Sequence, residues 1–136
     1  FSSVCLYGRV ATDWSSYIRL IINGTGAWGI DCVVAGVTTT LIYGSVAVPG
    51  AGATISLYCG DWATAAPRHF AADINGVPLC SLTEGGTTSV YGASNRHWGW
   101  GGIARGWVAG YYGFYYVGSN GEINPPSVNQ WLAMDQ

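Results

Sequence analysis

The sequence predicts an all-β domain built as a sandwich or jelly roll. Helix signals are nearly absent: no stretch of ten residues joins a 3.6-residue apolar period to a cap and good helix formers. Strand signals recur roughly every 8–15 residues, with Gly, Pro, Asn and Ser between them. Asn75-Gly76 stands between two β-rich runs, and it is the pair that a two-residue type I′ hairpin prefers, because both positions need φ > 0.

Taken in order, a first strand is expected over 4–7 and a second over 17–22, stopped by Asn23-Gly24. A third follows over 28–34, and a fourth over 38–43 after Gly36. In 54–59 the alternation is direct, with Ile55, Leu57 and Cys59 on one face and Thr54, Ser56 and Tyr58 on the other. Residues 69–74 and 77–82 flank the Asn75-Gly76 turn. A two-residue loop fixes their register, so Ile74 is expected opposite Val77, Ala72 opposite Leu79, and Phe70 opposite Ser81 on one mainly apolar face. The other face would carry His69, Ala71, Asp73, Pro78, Cys80 and Leu82. Pro78 cannot donate to a ladder, which puts its strand at an edge or breaks it there. Two strands rich in glycine and aromatics are expected over 96–102 and 110–118. Turns at Ser119-Asn120-Gly121 and Pro125-Pro126 precede a last strand over 128–134. Ten short strands without helices mean a sandwich or jelly roll.

Only 9% of the residues are charged, where a soluble domain usually carries about 25%. There is no lysine, and no residue from Cys32 to Gly60 carries a charge. So poor a surface suggests a chain that lives against other chains. The uncharged run is not read as a membrane span, because Thr38-Thr39-Thr40, Pro49-Gly50 and Gly52 cut it into strand-length pieces, short of the ~20 apolar residues a span needs. The net charge is −2, and Arg9, Arg19, Arg68, Arg96 and Arg105 form no basic stripe, so nucleic-acid binding is not expected. The 136 residues make a single domain. Its start at Phe1 in place of Met suggests a fragment or processed part of a longer chain. Cys5, Cys32, Cys59 and Cys80 form no C-x-x-C pair; their apolar, strand-like contexts favour buried free thiols, with two disulfides the alternative.

Few residues could carry catalysis. Glu84 and Glu122 lie in glycine-rich, turn-like segments and read as solvated loop residues, with no second carboxylate placed to share a sugar bond. No G-x-S-x-G elbow occurs. His69 and His97 read as strand-start residues with polar tips in water, and Asp61 and Asp73 as isolated oxygen donors. No enzymatic activity, metal or cofactor is expected. Asn23-Gly24-Thr25 fits a glycosylation sequon. The dense feature is aromatic: Trp98, Trp100, Trp107, Tyr111, Tyr112 and Tyr115 are the candidates for an interface or for contact with a glycan.

The second half reads Gly60-Asp61, Pro67-Arg68, a strand, Asn75-Gly76, a second strand, Gly92-Ala93-Ser94 with Arg96, a glycine-rich strand, and finally Pro126, Trp131 and Asp135. Over roughly residues 54–135 this resembles the jelly-roll domain found towards the C-terminus of minor tail proteins of phages infecting mycobacteria and related actinobacteria. Asn95 departs from the pattern, standing where an aromatic is common. The resemblance implies a concanavalin A-like, laminin G-like β-sandwich and a structural or adhesive role in the virion. The module would assemble at the tail tip with copies of itself or other tail proteins, and would contact the host envelope and its cell-surface glycans. It supplies no catalytic residues. The competing reading from the residues is a secreted, lectin-like carbohydrate-binding domain, which calls for oxidised cysteines and exposed Trp or Tyr.

Overall fold

The structure, a computed structural model, describes residues 3–50, 52–61, 66–92, 94–103, 113–116 and 130–131. Ten strands are described: β1 (Ser3–Ala11), β2 (Ser16–Asn23), β3 (Ala27–Val34), β4 (Val37–Ser45), β5 (Thr54–Asp61), β6 (Ala66–Ile74), β7 (Val77–Thr83), β8 (Asn95–Ile103), β9 (Gly113–Tyr116) and β10 (Gln130–Trp131). The first eight match expected strands; the rest of the expected spans 110–118 and 128–134, and the turns at 119–121 and 125–126, lie outside the described residues. They form two antiparallel sheets: six strands in the order β4-β3-β2-β1-β8-β9 and four in the order β10-β5-β6-β7. No helix among the described residues is long and apolar enough to cross a membrane, which leaves β-barrel membrane proteins unaddressed.

Period-two alternation builds the core. On β2, Ile18, Leu20 and Ile22 are buried, while the intervening Tyr17, Arg19 and Ile21 are half-buried. Val4 and Leu6 of β1 and Ile30 and Cys32 of β3 join them from the same sheet. Ile55, Leu57 and Cys59 of β5, with Phe70 and Ala72 of β6, join from the other. Each fully buried Leu, Ile or Phe is worth about 1.5–3 kcal/mol against exposure, so this layer is what joins the sheets. At its margin Gly44 lies opposite Trp28 in the ladder, and a Cβ on Gly44 would fall 2.8 Å from the indole. Glycine lets that ring lie flat on the edge strand.

The hairpin turn is as expected, with Asn75 at φ 54 and Gly76 at φ 75 and Ile74 opposite Val77. Beyond the turn the expected register is wrong. The ladder shifts by one between Ala72 and Asp73, so Ala72 faces Cys80, Ala71 faces Ser81, and Phe70 faces Leu82. Leu79 is the additional residue. Pro78 has no N–H to give, and bulges are where strands accept proline. The slip exchanges the faces: Cys80 and Leu82 turn to the core, and Ser81 and Thr83 turn outward to hydrogen-bond His69, at 3.1 and 3.0 Å. As expected for a proline-bearing strand, β7 lies at a sheet edge.

Gly76→Val is predicted to cost about 1–3 kcal/mol, since a β-branched residue would enter the left-handed region. No other atom lies within 4 Å of the position a Cβ would take, so the cost is purely backbone. Urea unfolding of the variant checks it; an unchanged midpoint would refute it.

Candidate functional site

One end of the sandwich concentrates polar chemistry, and it begins at a fault in β1. Towards β8, Tyr7 pairs with Gly99 but Val10 pairs with His97, so the ladder breaks at Gly8 and Arg9. Arg9 takes φ 52 there. Its guanidinium reaches the opposite sheet, where Nη2 donates to the Cys59 carbonyl at 3.1 Å. It also stacks against the Phe70 ring (5.4 Å to centroid) and the Tyr91 ring (5.6 Å). Burial pulls its pKa below the usual arginine value.

Arg68 stacks on the same Tyr91 at 5.2 Å and donates to Glu84 Oε2 at 3.2 Å and to the Ser89 carbonyl and hydroxyl at 2.8 and 2.9 Å. Glu84 is no solvated loop residue. Its side chain is 6% exposed and accepts from the amides of Thr88 and Ser89, from the Ser89 hydroxyl and from Arg68. Burial alone would raise the Glu84 carboxyl, but these hydrogen bonds outweigh it and hold it below its ordinary value. The hairpin bulge concealed this pair in the sequence: only the slipped register brings Arg68 beside Glu84, whose amide donates to the Arg68 carbonyl at 2.9 Å.

The outward face of the larger sheet carries a second cluster. Tyr7, Trp14 and Tyr17 meet edge to face, with centroids 5.5–6.0 Å apart. Beside them Arg19 and Asp31, cross-strand partners, form an ion pair at 2.7 Å, and Thr40 donates to the same carboxylate at 2.9 Å. Burial alone would lower the Arg19 guanidinium; Asp31 outweighs that and raises it. Tyr7 is pushed up to about 12 by burial and by the neighbouring Cys5 thiol.

Next to the Arg9 carbonyl lies an open cavity of about 500 Å³, lined by Ala11, Thr12, Asp13, Ser15, Ser16, Val34, Ala35, Val90, Ser94 and Asn95. Asn95 and Ser16 are buried. Asn95 Nδ2 donates to Ser16 Oγ at 2.8 Å and to the Arg9 carbonyl at 3.2 Å. Asp13 accepts from the Ser15 amide at 3.0 Å, and hydrogen bonds from Ser15 hold its carboxyl below the ordinary value. Trp14, at φ 62, stands between these two lining residues and is 43% exposed.

The chain matches, over residues 2–136, the family described as "Domain of unknown function (DUF7257)". It belongs to that family. No curated protein and no solved structure matches it.

The aromatic candidates of this DUF7257 domain fall into two groups. Trp98 and Trp100 lie on β8 and Tyr115 on β9; the register sets Trp98 opposite Tyr115, and Trp100 opposite both Gly113 and core-forming Leu6. Trp107, Tyr111 and Tyr112 lie outside the described residues, as does Glu122. Asp73 is engaged by the Tyr58 hydroxyl at 2.7 Å, and His97 Nδ1 stands 3.2 Å from the Val10 carbonyl. The sequon's Asn23 is engaged too: its side-chain oxygen caps the β2–β3 turn, accepting from Thr25 and from the Ala27 amide. Among the described residues no three His, Cys, Asp or Glu side chains gather as a metal site would require. The sequence reading missed Trp14 and Asp13, since nothing in a short polar loop announces a left-handed tryptophan. The four cysteines are free thiols, three of them buried.

Two predictions follow from these ionisable groups. The folded pKa of Glu84 is depressed, so its contribution to stability is full above the unfolded carboxyl value, near 4.5, and is lost as pH falls through the lower folded value. Thermal melts of wild type should therefore weaken on acidification, and Glu84→Gln should flatten that acid limb while lowering stability at neutral pH. An identical acid limb in the variant would refute the latch. Burial raises Cys32 to about 11 and Cys59 to about 12. A chromogenic thiol reagent at about pH 8 should therefore leave Cys59 unlabelled in the native protein and count four thiols in denaturant. Fewer than four on unfolding without reductant would show disulfides.

Proposed function

We propose that this domain is a structural and adhesive module of a phage tail. It assembles with copies of itself or with other tail proteins and contacts the host envelope. The observation that carries the reading is β4. This nine-residue strand closes one edge of the larger sheet, and none of its residues is buried. It holds no charge and no proline, and its irregularity is a one-residue bulge at Leu41. Free-standing proteins usually guard such an edge with charges, proline, brevity or bulges, because its open N–H and C=O groups accept another strand; of these β4 has the single bulge. A tail component has neighbours to receive it. The resemblance of residues 54–135 to actinobacteriophage minor tail proteins supports the same reading. The return of β8 beside β1, after β5–β7 have crossed to the other sheet, is the long step of a Greek key; it favours the jelly-roll, concanavalin A-like assignment.

The second reading, a secreted lectin-like domain, draws on exposed Trp14 and on Tyr43, which is 81% exposed. The free thiols speak against it.

Thr39, exposed at the middle of β4, gives the test. Light scattering should show the wild type as an oligomer, and Thr39→Lys should be monomeric with an unchanged melting temperature. A wild type that stays monomeric and binds neither purified tail proteins nor host cells would overturn the proposal.

A further inference from the structure

We infer that the cavity between the β1–β2 loop, the β3–β4 turn and the segment before β8 is a saccharide subsite that takes a neutral sugar ring of the host envelope. This rests on reading the domain as an adhesion module and names the ligand of that role.

The chemistry of the lining points to a hydroxyl-rich, uncharged ligand. Thr12, Ser15, Ser16 and Ser94 offer hydroxyls, Asn95 an amide, and Asp13 a carboxylate. A carboxylate accepts from sugar hydroxyls and repels phosphates and acids. Among the described residues that line it there is no cation to partner an anionic ligand. Val34, Ala11, Ala35 and Val90 supply the apolar ground on which the C–H face of a sugar can rest. The volume of about 500 Å³ lies within the range of small-molecule sites, roughly 300–1,000 Å³.

The backbone supports the same placement independently. Four non-glycine residues among those described have positive φ: Arg9, Trp14, Ala35 and Asn75. Asn75 belongs to a turn where asparagine is at ease. The other three lie at the cavity or next to residues that line it. Ala35 lines it, Trp14 lies between lining residues Asp13 and Ser15, and the Arg9 carbonyl holds Asn95. Left-handed Trp, Ala and Arg are each unfavourable, and such residues collect at binding sites.

The test is an NMR titration of the whole domain with the methyl glycosides of glucose, mannose, galactose and arabinose, in parallel with binding to host cells. One glycoside should shift the amides of residues 12–16, 35, 94 and 95 saturably. Asp13→Ala should weaken it about tenfold, the loss of one charge-assisted hydrogen bond. Ser94→Trp, which fills the mouth from an exposed position, should abolish it with the melting temperature unchanged. The inference falls if none of the four shifts these amides, or if both variants bind as wild type does. Failure at this site with cell binding intact in Ser94→Trp refutes the subsite and leaves the adhesive role standing. Absence of any cell binding by wild type refutes the adhesive role itself.

Discussion

The structure depends on two apolar sheet faces meeting across a single layer. Leu6, Ile18, Leu20, Ile22 and Ile30 from one sheet close on Ile55, Leu57 and Phe70 from the other, each no more than 2% exposed. The alternation of these strands leaves one register in which both inner faces are apolar, and a one-residue slip would turn each set to water. The sheets are unequal, six strands against four. β4 contributes no buried residue, and its exposed Val37 and Tyr43 stand outside the shared layer. Burial of the centre thus leaves that margin open.

Charge is scarce, and among the described residues three arginines are built into the fold. Arg9 leaves the β1 ladder at a kink, crosses to the carbonyl of Cys59 and presses on Phe70. Arg68 and Glu84 fasten the 84–89 segment to β6, and Tyr91 lies against both arginines. Arg19 and Asp31 are cross-strand partners on the outward face. A buried guanidinium without a carboxylate is tolerable where carbonyls and aromatic faces receive it. These contacts fix the end of the sandwich that holds the cavity, and they give a charge-poor domain a rigid polar margin.

The strands and the hairpin turn were legible in the sequence because they rest on local rules: period-two alternation, and an Asn-Gly pair suited to positive φ. The uncharged run from Cys32 to Gly60 was also legible, and it contains the exposed edge β4. What depended on register was not. The bulge beside Pro78 reassigned Cys80, Leu82, Ser81 and Thr83 to the opposite faces, and with them the pairing of Arg68 and Glu84. The cavity was hidden for a related reason. Its lining comes from segments far apart in the chain, gathered by left-handed residues at Arg9, Trp14 and Ala35 that no side-chain pattern announces. The density of aromatics after Asn95 drew attention to Trp98, Trp100 and Tyr115, while the ring cluster on the outward face came from the thinly spread Tyr7, Trp14 and Tyr17.

A module with a sealed centre, an unguarded edge and a rigid polar end is suited to being one part among many. The central claim is that β4 is open in the separated chain and covered in the assembly. Amide hydrogen exchange, followed strand by strand in dilute and concentrated samples, tests this most directly. Strands β2 and β3, hydrogen-bonded on both sides, should exchange slowly in both. Alternate amides of β4 should exchange fast when dilute and become protected as the chain assembles. Fast exchange along β4 in an assembled sample, or protection already complete in a dilute monomer, would contradict the account.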